Sequence, residues 1–165
     1  MRRAYLVRHG KAEEYDPDRH VGDEDRALTA EGRDELGRIA RRFRRIEPKL
    51  EAVLTSPLRR ARETAEIFAK AYDLELEVVR ELEPPISSAR LLRLVRAREE
   101  RRLALVGHEP GLGQTIGRWL EIGDRAFPLK KAGIARLDVP DDPSEGPIEL
   151  AWLASPELLL KAKHS

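Results

Sequence analysis

Short apolar runs alternate along this chain with longer stretches in which apolar residues recur every three or four positions. Ala4–Val7, Ala52–Thr55 and Leu103–Val106 read as buried strands, with Leu76–Val79 as a further one. Leu36, Ile39, Ala40 and Phe43 share one face of a helix over about Ala30–Arg45; Thr29 is its N-cap, Gly32 its third residue, and Pro48 lies beyond its end. Ser56-Pro57 reads as N-cap and first turn of a second helix reaching about Tyr72, with Ala61, Ala65, Phe68 and Ala69 inward. Past the Pro84-Pro85 loop, Ser87 or Ser88 caps a third helix to about Arg98, and Pro110 opens a fourth to about Leu120. Ile134–Val139 and Ile148–Leu153 read as two late strands around an Asp/Pro/Gly-rich turn, and His20–Arg26 as a charged loop. Strands alternating with helices predict an α/β fold: a single-domain three-layer sandwich, its mostly parallel sheet covered by helices on both faces. The domain is expected over residues 1–160, with a frayed tail at 161–165.

Composition narrows what such a domain binds. Lys and Arg number 31 against 30 Asp and Glu, a net charge of +1, which lacks the basic excess of a nucleic-acid binder. Positive charge for an anionic ligand must therefore be gathered locally. Cysteine is absent, which removes disulfides, zinc thiolates and a thiol nucleophile. No apolar run approaches a membrane span, and the run after Met1-Arg2-Arg3 is too short for a signal peptide, so a cytoplasmic protein without membrane contact is expected.

The strand ends carry the chemistry. The first strand runs into Arg8-His9-Gly10, the second into Ser56-Pro57 with Arg59 and Arg60 just beyond, and the fourth into Gly107-His108-Glu109-Pro110. In a parallel sheet these tips share one edge, where α/β folds place their ligands. Arg8 can fork two oxygens of a phosphate, His9 can attack phosphorus, and Gly10 permits close approach of a ligand to the backbone. The helix after Pro110 could add backbone N–H groups and the positive end of its dipole. Taken singly, each feature has a plainer reading. Arg59, Arg60 and Arg62 form a basic helix face, His108 is a capping residue, Trp119 and Trp152 are core residues, and His20 and His164 face solvent. Coincidence at three strand tips favours a phosphate site.

Leu6-Val7-Arg8-His9-Gly10, Leu28-Thr29-Ala30-Glu31-Gly32, the stretch from Thr55 through Ala65 and Val106-Gly107-His108 together resemble the motifs of the histidine phosphatase superfamily, also called phosphoglycerate mutase-like. Within it the chain is most similar to the short SixA-type phosphohistidine phosphatases. Asp25-Arg26-Ala27-Leu28-Thr29 resembles their R-P-L-T segment, with Ala for Pro, and Leu82-Glu83-Pro84 their L-x-P segment. The resemblance implies that His9 is a nucleophile forming a phosphohistidine intermediate. Arg8 and Arg60 would grip the phosphoryl oxygens and His108 would donate to them. Arg60 takes the family position through the Arg60-Ala61 step. Arg26 lines the pocket mouth by the same analogy, or else pairs with Asp23 or Asp25. The Glu109 backbone N–H is a further candidate phosphate contact.

Longer relatives carry an inserted segment with a proton-donating Glu, of which this chain has no copy; Glu81, Glu83 and Glu13 are the fallback acids. An alkoxide, comparable to hydroxide from water of pKa about 15.7, needs a donor, whereas an imidazole of pKa about 6.5 does not. The acid-poor site therefore suits phosphohistidine. A general small-molecule phosphomonoesterase and a non-catalytic phosphoprotein-binding module are the alternatives. A phosphorylated protein or small phosphorylated substrate is the expected partner, with no nucleic acid and no metal or other cofactor; oligomeric state is left open.

Overall fold

A computed structural model of the chain describes residues 1–124 and 127–161. Its elements are β1 (Arg2–Arg8), α1 (Ala30–Ile46), β2 (Ala52–Thr55), α2 (Arg59–Ala71), β3 (Leu76–Val78), α3 (Ser88–Ala97), β4 (Arg102–Gly107), α4 (Gly111–Trp119), β5 (Ile134–Val139), β6 (Glu149–Ala154) and α5 (Pro156–Lys161). One six-stranded sheet has the order β3-β2-β4-β1-β5-β6. Strands β1 to β4 pair in parallel, while β5 and β6 add an antiparallel edge.

Alternation along the buried strands sorts side chains to the two faces. Tyr5 and Val7 of β1, Val53 of β2, and Ala104 and Val106 of β4 pack with Leu36, Ile39 and Phe43 of α1 and Ala61, Ala65 and Phe68 of α2. Ala4, Leu6, Leu54, Leu103 and Leu105 face the other way, onto Leu91 and Val95 of α3 and Leu112, Ile116 and Trp119 of α4. The expected sandwich is therefore present. Each fully buried Leu or Phe contributes about 1.5–3 kcal/mol of transfer free energy, so the two cores hold the central strands in place.

Two expectations need correction. Pro57 is not in the first turn of α2: the helix begins at Arg59 with Leu58 as N-cap, and the Ser56 hydroxyl accepts from the Leu58 N–H in a tight turn instead. Helix α5 is absent from the sequence reading, because six residues show less than two turns of periodicity. Of the expected tail, Lys161 closes α5, and residues 162–165, His164 among them, lie outside the described residues.

The start of α1 is fastened to the chain leaving β1. Thr29 accepts from the Gly32 N–H at 2.9 Å, and the Thr29 N–H donates to the Lys11 carbonyl at 2.9 Å. A Cβ on Gly32 would drive into that same carbonyl, which is backbone and cannot swing aside. Alanine's helix-interior advantage over glycine is about 1 kcal/mol, smaller than the cost of shifting two chain segments. Gly32→Ala is therefore expected to lower the urea midpoint of unfolding; a raised midpoint would show that the contact relaxes freely.

Candidate active site

Register brings the three strand tips level. Arg8 stands opposite Gly107, and Thr55 opposite Val106, across the neighbouring β1·β4 and β4·β2 ladders. Two further backbone bonds extend the row: His9 N–H donates to Gly107 O at 3.1 Å, and Ser56 N–H to Val106 O at 3.0 Å. His9 and His108 thus leave the sheet side by side, with Ser56 one residue back, level with Gly107. The imidazoles of His9 and His108 lie 5.2 Å apart, centre to centre, both buried.

His9 is oriented by its own chain. Its Nδ1 lies 2.7 Å from the Gly10 carbonyl, an obligate acceptor, so Nδ1 carries the ring proton and Nε2 keeps its lone pair. The Gly10 N–H donates to Thr64 Oγ1 at 3.1 Å, and the Thr64 hydroxyl donates to Arg60 O at 2.8 Å. Thr64 of α2 therefore links the His9 turn to the arginine helix. Gly10 owes its small size to Leu36, which a Cβ there would strike; its N–H is engaged with Thr64.

Arginines come from three segments. Arg8 donates to Leu129 O at 2.9 Å. Arg60 is buried, and its two terminal nitrogens hold Asp23, one on the backbone carbonyl at 3.0 Å and one on the carboxylate at 3.1 Å. Arg26 lies against the other Asp23 oxygen at 2.9 Å and donates to Glu13 O at 3.0 Å. The Arg26–Asp23 pair is thus present, and Asp23 gathers Arg26 and Arg60 together. Arg59 stays half-exposed, 3.7 Å from both Asp25 and Glu63, which keeps it on the solvated face of α2. Among the described residues the buried Arg8 Nε, Arg60 Nε and His108 Nδ1 have no hydrogen-bond partner.

The Glu109 side chain is engaged locally. Its carboxylate turns back to accept from Gly113 N–H at 2.9 Å and Leu129 N–H at 3.3 Å, capping the first turn of α4 and pinning the segment that holds Arg8. His20 departs from expectation. It is buried rather than solvent-facing: its Nδ1 lies 3.0 Å from the Asp16 backbone nitrogen and 3.1 Å from the Asp16 carbonyl, and its Nε2 faces the Glu13 carboxylate at 3.0 Å. That pairing shapes the charged loop that carries Asp23 and Arg26. Glu81 and Glu83 lie on or just after the turn at Arg80–Leu82, beyond β3. Trp119 is a core residue, and Trp152 packs partly buried against the core.

Electrostatics follow from burial among cations. Desolvation, reinforced by His108, Arg60 and Arg8, pushes the His9 pKa down to about 3, although the Gly10 bond opposes it. Desolvation and Arg60 push His108 down to about 4. Both rings are neutral at physiological pH. Burial opposes ionisation of Asp23, but Arg60 and Arg26 overcome it and hold the carboxyl below its usual range. Glu13 is likewise held low, chiefly by its hydrogen bond to His20. Burial raises the Glu109 pKa against its backbone donors and Arg8.

Known proteins share this fold. Residues 4–83 match the model of the histidine phosphatase superfamily, branch 1. An uncharacterized protein of Picosynechococcus sp. (strain PCC 7002) is 37% identical over 175 residues, spanning 94% of this chain and 98% of its own. The solved protein histidine phosphatase SixA complexed with tungstate superposes with a TM-score of 0.79 at 24% identity, over 93% of this chain and 97% of that one. A SixA-type protein of Agrobacterium tumefaciens gives 0.73 at 26%, over 93% and 97%. The phosphoserine phosphatase of Entamoeba histolytica in complex with 3-phosphoglyceric acid gives 0.74 at 20%, over 97% and 100%. The chain belongs to the histidine phosphatase superfamily, and its fold is that of the SixA-type members.

Sequence reasoning placed Arg8, His9, Arg60 and His108 at strand tips and missed what holds them. Thr64 lay inside the motif stretch, and its spacing of four from Arg60 is one helical turn, a signal that was there to use. Asp23 was weighed only as a partner of Arg26.

Two expectations follow. Thr64→Val keeps the shape but strands the buried Gly10 N–H, so the free energy of unfolding should fall by about 1–3 kcal/mol in urea titration; an unchanged value would show that another acceptor is at hand. The ring-proton NMR shifts of His9 and His108 should stay constant from neutral pH to about pH 5, well above their depressed pKa values, whereas free imidazole titrates near about 6.5. Because the unfolded chain takes up protons that both folded rings refuse, stability should decline as pH falls below that value toward 4 and 3. A midpoint near that of free imidazole for either ring would contradict the depression.

Proposed function

We propose that this protein is a phosphohistidine phosphatase that works through a phosphoryl group carried on His9 Nε2. What supports this most is the set of buried nitrogens without partners, Arg8 Nε, Arg60 Nε and His108 Nδ1, grouped about a neutral imidazole whose Nε2 lone pair is free. An unpaired buried donor costs about 1–3 kcal/mol, and a tetrahedral oxyanion satisfies several at once. In the first step Nε2 attacks phosphorus in line, the new N–P bond forms, and the bond to the leaving nitrogen breaks. Arg8, Arg60 and His108 stabilise the charge spread over the equatorial oxygens. In the second step water attacks the same phosphorus, His9 leaves as the neutral ring, and inorganic phosphate departs.

The leaving group argues for the substrate. Glu13 and Asp23 are both held ionised and make poor proton donors. A departing imidazole, with a pKa of about 6.5, takes its proton from solvent, whereas an alkoxide does not manage without a donor. The solved SixA relative, described as a protein histidine phosphatase, supports the same substrate class.

One observation favours a second reading, hydrolysis of small phosphomonoesters. Glu109 follows His108 directly, interacts with Arg8, and is pushed toward its protonated form by burial. The Entamoeba phosphoserine phosphatase with this fold is consistent with it. Phosphate release at matched concentrations separates the two. A phosphohistidine protein is expected to be turned over faster than glycerophosphate, with both activities lost in His9→Ala. Equal or reversed preference would overturn the phosphohistidine assignment, and turnover surviving in His9→Ala would overturn the phosphatase mechanism itself.

A further inference from the structure

Ser56 is fully buried at the tip of β2, and its hydroxyl lies 2.7 Å from His108 Nε2. Its position is fixed on every side. The Ser56 N–H is held by Val106 O, its carbonyl accepts from the Thr55 hydroxyl at 3.0 Å, and its Oγ accepts from the Leu58 N–H at 3.1 Å.

A serine hydroxyl has one proton to give and two lone pairs. One lone pair is taken by Leu58. If His108 Nε2 carried the ring proton and donated to Ser56, the serine proton would need another acceptor. Among the described residues none is within hydrogen-bond distance. The His108 Nδ1 lone pair would then be buried without a donor as well. The opposite assignment leaves one group unpaired instead of two: Ser56 donates to Nε2, and the ring proton sits on Nδ1. That remaining donor lies beside His9 and within the fields of Arg60 and Arg8, where an anion is to bind. A lone pair at Nδ1 would repel that anion.

We propose that Ser56 is a positioning residue that fixes His108 as its Nδ1–H tautomer and so turns the ring into a hydrogen-bond donor for the phosphoryl oxygens. The part concerning phosphoryl oxygens rests on the phosphatase reading above; the tautomer itself does not. Asp23, Arg26, Arg8, Arg60 and His9 are charged or titratable groups that face His108, and the hydrogen-bond partner of Nε2 is Ser56.

Long-range nitrogen–proton NMR correlation on protein with labelled histidine rings reads the tautomer directly at neutral pH. His9 serves as the internal Nδ1–H reference, since its Nδ1 faces the Gly10 carbonyl. Wild-type His108 is expected to match His9. Ser56→Ala should shift His108 toward the Nε2–H form and lower kcat on p-nitrophenyl phosphate by about 10- to 100-fold, the loss typical of removing the partner that orients a metal-bound histidine, with KM little changed. An Nε2–H signature in the wild-type protein overturns the inference whatever the variant does. So does a Ser56→Ala protein whose tautomer and kcat match the wild type. An inactive wild-type protein with Nδ1–H at His108 would refute only the phosphatase reading, so the two failures are distinguishable.

Discussion

The parallel register of β1, β4 and β2 is the constraint on which the site depends. Arg8 against Gly107 and Thr55 against Val106 bring His9 level with His108 and Ser56 level with Gly107, one residue back. A slip by one residue would reverse the face of every side chain on the strand. It would also separate His9 from His108. The slip is resisted by both cores together, because each strand buries large side chains on both faces. Stability and chemistry are thus set by the same ladder: the hydrogen bonds that end the sheet begin the site.

Burial then determines the chemistry. Three arginines and two imidazoles in one desolvated region would be prohibitive if every group were charged. The rings give way, because lowering a histidine pKa by a few units costs far less than burying an unpaired cation. The result is a neutral imidazole amid fixed positive charge. Asp23 balances part of that charge and holds two of the arginines, leaving the Arg60 Nε edge unpaired. Because its carboxyl is held ionised, Asp23 serves as a holder of arginines and not as a proton donor. The chemistry of the leaving group therefore matters more here than in a site with a dedicated acid.

Much of this was legible in the sequence. The strand at Ala52–Thr55, the Thr29 cap and the clustering of Arg8, Arg60 and His108 at strand ends follow from local period and capping rules, which depend on neighbours in the chain. What escaped depends on partners distant in sequence. Ser56 satisfies a local capping rule, yet its hydroxyl is turned toward His108, 52 residues away. His20 in a charged loop reads as exposed until Glu13 and Asp16 close around it. At Gly10 the place a Cβ would take is filled by Leu36 of α1, a contact from a distant segment. The Glu109 side chain caps α4, a bond that its neighbours in sequence do not announce. Periodicity identifies the elements and the tips; the hydrogen bonds that orient the tips appear only when the segments meet.

Direct trapping of the phosphorylated protein tests the central claim. The protein would be mixed with a phosphoramidate donor, quenched in alkali and digested, and the site of phosphorylation mapped by mass spectrometry. A single acid-labile phosphoryl group on the peptide containing His9, absent from His9→Ala, is the expected result. A phosphoryl group on another residue, or phosphate release with no trappable protein-bound phosphoryl group, would contradict it.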